Sequence, residues 1–212
     1  MIFKMMNHVY VFITTRCNQS CEHCILAATS EGEDMSLETF EETMKVIPKK
    51  FTIVLSGGEP LLHARYKEFV EKASKHNNVI VSTNGTITDE LMWSLEYMEE
   101  NKGLSVYVSQ TKFHTQLNND TKLIIQEKGG RIITDLENIW PGGRAINLAE
   151  KSDGSYCACN HAYVWPDGNI KNCGCPDSEI IGNINDAKVN LKKRRSCKRS
   201  PIMVGVGVSF YE

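Results

Sequence analysis

Residues 8–24 read HVYVFITTRCNQSCEHC. The stretch from His8 to Thr15 is rich in β-branched and aromatic side chains and describes a strand. It runs straight into three cysteines, Cys17, Cys21 and Cys24, set within eight residues. A disulfide joins two sulfurs, and a closed structural zinc site takes four ligands. Three thiols leave a metal centre one bond short. The fold has to explain why a strand delivers such a centre at its end.

The chain has 212 residues, 41% of them hydrophobic, with a formal net charge of −2. A substantial core fits this composition, and the molecule as a whole is not a polyelectrolyte. The N-terminal MIFKMMNHVYVFITT carries Lys4 and His8 and no small-residue cleavage site, so it reads as a leading strand, not a signal peptide. No apolar run approaches the ~20 residues of a membrane span. These features place the chain in the cytoplasm, away from membranes, where thiols stay reduced. Eight cysteines there point to metal or redox chemistry before disulfides.

Further along, short apolar runs alternate with amphipathic ones. SLETFEETMKVI sets Leu37, Phe40, Met44 and Ile47 on one helical face, with Ser36 as the cap. FTIVLS is a buried strand ending at Gly57-Gly58, and Leu62 to Lys75 is a second helix with Tyr66, Phe69 and Ala73 on one side. NVIVSTNG is a strand and turn, and Thr88 caps a third helix bearing Leu91, Leu95 and Met98. LSVYVS is a fourth strand, TKLIIQEKG a helix with a glycine stop, RIITDL a fifth strand and RAINLA a sixth. The alternation predicts an α/β fold with a parallel sheet. Five or six units are too few for an eight-stranded barrel of ~250 residues. The expected architecture is a partial, open (β/α)5-6 TIM-like barrel over 1–150. A small cysteine-rich hairpin domain with a basic tail is expected over 151–212.

Polar clusters fall just after the predicted strands: the cysteine loop, SGGEP (56–60), STNGT (82–86), and Ser109-Gln110. In a parallel barrel these meet on the rim formed by strand C-termini, where sites of such folds lie. Three thiolates can hold three corners of a [4Fe–4S] cluster and leave one iron open. Gly57 and Gly58 let backbone approach a ligand. Glu59 can accept from an ammonium, and Ser82 and Asn84 can contact sugar hydroxyls.

Cys17-x3-Cys21-x2-Cys24 followed by a strand-terminal GGEP resembles the radical S-adenosylmethionine (SAM) superfamily over residues ~8–150. The resemblance implies that the three cysteines hold a [4Fe–4S] cluster whose open iron chelates SAM. It implies that the segment Gly57–Glu59 meets the SAM amino group; Ser82, Asn84 and Ser109, by their place after the strands, are expected to line the cofactor. Reductive cleavage of SAM to a 5′-deoxyadenosyl radical, oxygen sensitivity and an electron donor such as flavodoxin or ferredoxin come with it. In the family an aromatic residue often precedes the third cysteine and packs on adenine; here His23 takes that place. The alternative for the trio is zinc, completed by His23 or a distant ligand.

A second group lies in YCACNHAYVWPDGNIKNCGCPDSEIIGNI, residues 156–184. WPDGNIKNC reads as a hairpin turning at Asp167-Gly168, with arms that bring Cys157 and Cys159 near Cys173 and Cys175. Cys197 follows. The segment resembles the auxiliary-cluster domains called SPASM and twitch, implying one auxiliary iron–sulfur cluster drawn from these five cysteines. A zinc knuckle is the alternative. PGGRA (141–145) also resembles auxiliary-cluster enzymes, and Arg144 can reach the SAM carboxylate or a substrate. Lys112, His114 and Tyr156 are candidates to face substrate.

Seven Lys or Arg between Lys188 and Arg199 can contact phosphates. The resemblance implies a peptide or protein side chain, or a nucleotide, as substrate, and the basic segment tilts toward a phosphate-bearing nucleotide or nucleic acid. Two readings compete with a radical SAM enzyme. One is a non-catalytic iron–sulfur or zinc module, which would close the three-cysteine site with a fourth protein ligand. The other is a glycyl-radical-enzyme activase.

Overall fold

The computed structural model describes residues 8–134, 142–149, 161–189 and 191. Its centre is an open, mixed sheet of eight strands. Strands β1 (His8–Thr14), β2 (Thr52–Gly57), β3 (Asn78–Thr83), β4 (Leu104–Ser109) and β5 (Arg131–Ile133) are parallel and lie side by side in chain order. Between them run α1 (Leu37–Val46), α2 (Tyr66–Ser74), α3 (Thr88–Glu100) and α4 (Asn119–Glu127). The order never reverses. Right-handed crossovers stepping always in one direction put every one of these helices on the same face.

The strands show this directly. Val9, Val11, Ile13, Ile53, Leu55, Val79, Val81, Val106 and Val108 are fully buried. They form one cluster with Phe40, Phe69, Leu91, Leu95 and Ile125 of the helices. The alternate positions point to the other face, because side chains reverse at each residue of a strand. Near β1 that face is aromatic, with Tyr10 stacked on Tyr163 and Phe12 edge-on to Trp165. Across β2 to β4 it is hydroxyl-bearing: Ser56, Ser82, Tyr107 and Ser109 are half-buried. The register sets Phe12 beside Ser56, Ser82 beside Tyr107, and Tyr107 beside Arg131. This is the inner surface of a barrel left unclosed.

Most helix expectations hold. Ser36 caps α1 by accepting from Thr39 N, and Gly129 ends α4 with a positive φ of 82°. Two details differ. The N-cap of α3 is Ile87, so Thr88 is its first helical residue and no side chain caps it. RAINLA is not a strand: Gly143–Ala145 is a 3-10 turn leading into the short helix α5 (Ile146–Ala149). The sixth parallel strand is β6 (Ala162–Val164), which pairs with β1 on its free side. The hairpin is present as expected. β6 turns through Gly168 into β7 (Asn169–Lys171), and β8 (Ile180–Asn183) pairs antiparallel beyond it. Sequence texture changes near residue 150, yet β6 to β8 extend the same sheet.

At the C-terminal rim β1 and β2 come unusually close. Gly58 N donates to Thr14 O at 2.9 Å and Glu59 N to Arg16 O at 2.7 Å. A Cβ on Gly58 would lie 2.0 Å from Arg16 O, and one on Gly57, whose φ is +134°, 2.0 Å from Thr14 O. Both obstacles are backbone and cannot swing aside. Gly58→Ala should therefore lower stability by about 3 kcal/mol or more. Urea unfolding of the two chains checks this, and an unchanged midpoint would show that the strand ends can separate freely.

Candidate radical SAM site

The cysteine loop leaves β1 at Thr14 and returns to Met35, whose N–H donates to Ile13 O. Its neck is clamped by Asp34. That carboxylate accepts from Thr14 Oγ1 at 2.6 Å and from Arg16 through Nε at 3.0 Å and Nη2 at 2.6 Å. Partial burial pushes the Asp34 carboxyl up, but the bonds from Arg16 and Thr14 win and hold it below its ordinary value. Arg16 Nη2 also reaches Leu62 O, which fixes the loop to the turn after GGEP. Neither residue stood out in the sequence, because an Arg and an Asp eighteen positions apart carry no local signature.

Within the loop Cys17, Cys21 and Cys24 are free thiols of intermediate exposure. Burial raises the Cys17 and Cys21 thiols, and the charge of neighbouring cysteines raises them further. Both shifts favour the protonated thiol; a bound metal ion would displace the protons outright. No three His, Cys, Asp or Glu side chains among the described residues converge on a single-ion site. Three free thiols within eight residues on one rim fit a cluster in which each sulfur meets a separate iron.

Hydrogen bonds tie the rim clusters together. Asn84 Nδ2 donates to Asn18 Oδ1 at 2.9 Å and lies 4.0 Å from Cys17 Sγ. Asn18 Nδ2 donates to Thr86 Oγ1 at 2.7 Å. Gln110 donates to Asn84 O and accepts from Leu117 N, so it braces the loop after β4. Ser82 and Ser109 remain on the inner face of the sheet. His23 packs against Phe113 and His114, with ring centroids 4.8 and 4.9 Å away. Burial, with the charges of His114 and Arg144 adding, pushes its imidazole down to about 4, so it is neutral at pH 7. Lys112 lies over the Phe113 ring. Lys112 and His114 thus gather beside the cysteine loop. Phe113, between them, was missed; its position between two candidates in a post-strand loop was the available signal. A cleft of about 580 Å³ opens between residues 18–22 and this loop.

Two expected ligand contacts have other partners. Glu59 is completely buried. Its Oε1 accepts from Thr83 Oγ1 at 2.6 Å and Leu61 N at 3.1 Å, and its Oε2 from Asn84 N at 2.7 Å. The carboxylate faces into the protein and joins the GGEP turn to the end of β3. Arg144 likewise turns inward: Nε donates to Cys21 O at 2.9 Å, Nη1 to Ala28 O at 2.7 Å, and its backbone N–H to Cys24 O. It braces the cysteine loop from outside. Gly143, with φ of +52°, permits this, since a Cβ there would meet Ile25 O at 2.3 Å.

Cys173 and Cys175 are buried cysteines packed on Ile25, immediately after Cys24. Cys157, Cys159, Cys197 and Tyr156, and the basic positions from Lys192 to Arg199, lie outside the described residues. No helix among the described residues is long and apolar enough to cross a membrane.

Residues 11–122, just over half of the chain, match the Radical SAM superfamily. The chain belongs to that superfamily. The tungsten-containing aldehyde ferredoxin oxidoreductase cofactor-modifying protein of Pyrococcus furiosus is 34% identical over 98 residues. That alignment covers 42% of this chain and 27% of the relative. The probable GTP 3′,8-cyclase of Methanothermobacter marburgensis is 36% identical over 88 residues, 38% of this chain and 28% of that protein. The match thus spans little more than a quarter of each curated relative. In fold, the chain is similar to the crystal structure of BtrN in complex with AdoMet and 2-DOIA. The TM-score is 0.61 at 18% identity, covering 86% of this chain and 80% of that one.

Burial pushes the Glu59 carboxyl up to about 7, against the pull of the Thr83 hydroxyl and the Asn84 and Leu61 amides. A carboxyl that holds its proton more tightly when folded stabilises the fold while protonated. The bare chain should lose on the order of 3 kcal/mol from this group as pH rises from about 4.5 to 7, with no further loss above. Lowered imidazoles at His8, His23, His63 and His114 act in the opposite sense. The difference between wild type and Glu59→Gln isolates the carboxyl. Urea unfolding at pH 5 and 8 should show the variant losing less stability than wild type. Equal slopes would assign the dependence to other groups.

Proposed function

We propose that this chain is a radical SAM enzyme that abstracts hydrogen from a polar substrate lying against the inner face of its sheet. One observation carries the reading: three free thiols stand on the rim beside a GGEP turn hydrogen-bonded to the backbone of their own loop. When bound there, a [4Fe–4S] cluster and SAM supply reductive cleavage of SAM and a 5′-deoxyadenosyl radical. Cys17, Cys21 and Cys24 would hold the cluster. Arg144 and Asp34 fix the loop that carries them.

Since the Glu59 carboxylate is already taken up, the SAM ammonium is met by backbone of the Gly57–Glu59 turn, and Glu59 sets the shape of that turn. Asn84 is 6% exposed and holds Asn18, so it aligns the rim, leaving Ser82 and Ser109 to face cofactor and substrate. Neutral His23 and Phe113 offer flat surfaces for the adenine. Cys173 and Cys175, with partners from Cys157, Cys159 and Cys197, would hold one auxiliary iron–sulfur cluster in a twitch-like unit. A flavodoxin or ferredoxin of the cytoplasm supplies the electron.

The substrate classes are a peptide or protein side chain and a phosphate-bearing nucleotide. Arg131 favours the second. It stands at the far end of the hydroxyl-lined row, donating to Tyr107 Oη at 3.2 Å with further N–H groups left for an anion.

Anaerobic reconstitution should load two [4Fe–4S] clusters. With dithionite and SAM the loaded chain should release 5′-deoxyadenosine and methionine, faster with the right substrate. Replacing Cys17, Cys21 and Cys24 by Ala should abolish the release and keep one cluster. Replacing Cys173 and Cys175 should remove the other. Tightly bound zinc in place of the second cluster would refute the auxiliary site, and no 5′-deoxyadenosine from the wild-type chain would refute the enzyme.

A further inference from the structure

Gln19 sits between two of the three cysteines and is 9% exposed. Its backbone N–H donates to Cys17 Sγ at 3.4 Å. Its side-chain Oε1 accepts from the Cys21 thiol at 3.3 Å and from Thr115 N at 3.1 Å. One residue therefore touches two thiols and the loop after β4. Its Nε2 is enclosed and has no hydrogen-bond partner among the described residues. A buried donor left without an acceptor costs about 1–3 kcal/mol. Native folds satisfy nearly all such groups, and an exception calls for a reason.

The chemistry of the loop supplies one. In the bare site the Cys21 thiol is a donor, which is why the amide oxygen faces it. Bound to iron, the same sulfur has no proton and can act only as acceptor. The sulfides of a cluster are acceptors as well. What the loop gains on loading is thus the kind of atom the Gln19 amide nitrogen lacks. The Thr115 bond holds the amide in place meanwhile.

We propose that Gln19 is a positioning residue that donates its side-chain N–H to a sulfur of the iron–sulfur cluster and thereby sets the cluster's reduction potential. The proposal rests on the radical SAM reading above. Donors to cluster sulfur stabilise the more negative, reduced form and raise the potential. Through Thr115 the same side chain fastens the Lys112–His114 segment to the cluster, so cofactor geometry and potential share one support.

The test uses the full chain, reconstituted anaerobically and normalised to iron and sulfide. Gln19→Met removes donor and acceptor; Gln19→Glu keeps an acceptor for Thr115 N and removes the donor. Redox titration followed by electron paramagnetic resonance, without SAM, should give both variants a lower midpoint potential than wild type. Because a new carboxylate also lowers the potential, a second measurement uses wild-type chain carrying side-chain 15N-glutamine. Its reduced cluster should show a 15N hyperfine coupling that Gln19→Glu lacks. Such a coupling in wild type supports the proposal even if the Met variant fails to assemble. No coupling, or a wild-type potential in Gln19→Met, overturns it and leaves Gln19 as a strap. A wild-type potential with weaker SAM binding also overturns it, assigning the donor to SAM. A wild-type chain that takes up no cluster overturns the parent reading instead.

Discussion

Everything on the rim depends on how closely the ends of β1 and β2 approach. Their pairing does not stop where the strands stop; it continues through Gly58 N to Thr14 O and Glu59 N to Arg16 O into the two loops. Two consecutive residues without Cβ make this geometry available. It fixes the GGEP turn against the first residues of the cysteine loop, so neither loop can be placed independently. A cofactor that must touch a metal held by one loop and backbone offered by the other needs this constraint. Tight positioning of both partners is what converts binding into useful orientation.

From that junction the order spreads outward through buried polar groups. Glu59 carries it to β3, by way of Thr83 and the Asn84 amide. Asn84 carries it back to Asn18 in the cysteine loop, and Gln110 joins the loop after β4. On the outside, Arg144 covers the carbonyls of Cys21 and Ala28. A buried polar network of this sort favours one arrangement, because any partial rearrangement strands a donor or acceptor. The cysteines stand inside this frame of hydrogen bonds, while their own sulfurs stay half-exposed.

The sheet was legible because its buried strands are near-continuous apolar runs and its helices show the helical period. Phe40, Phe69, Leu91 and Leu95 sit in the core where that period put them. RAINLA misled for a local reason. It resembles a short buried strand, but Gly142 and Gly143 before it allow a tight turn under the cysteine loop, and a contact that distant in sequence leaves no periodicity. The sixth strand was hidden in the opposite way. AYV is three residues long and surrounded by cysteine, proline and glycine, so it read as one arm of a separate hairpin. Only the free edge of β1 makes it part of the barrel sheet.

The site divides along the same line. Residue types that announce chemistry, the three cysteines and the glycine pair, could be found from spacing. The direction in which a side chain points could not. Glu59 and Arg144 both carry charge and both follow glycines, and each looked like a hand extended to the cofactor. In the structure both side chains point to partners within the chain. A carboxyl group completely enclosed in protein must satisfy itself there, and Glu59 does so with three donors from the chain, with no surface left exposed to a ligand. The same rule singles out Gln19 from the other direction. Its amide is enclosed but only half satisfied, and the half left over lies in the loop of the cysteines. The His23 ring nitrogen Nδ1 beside it is likewise enclosed and without a partner among the described residues, so the two unmet groups of this rim lie together, at the side of the cysteine loop that faces the loop after β4.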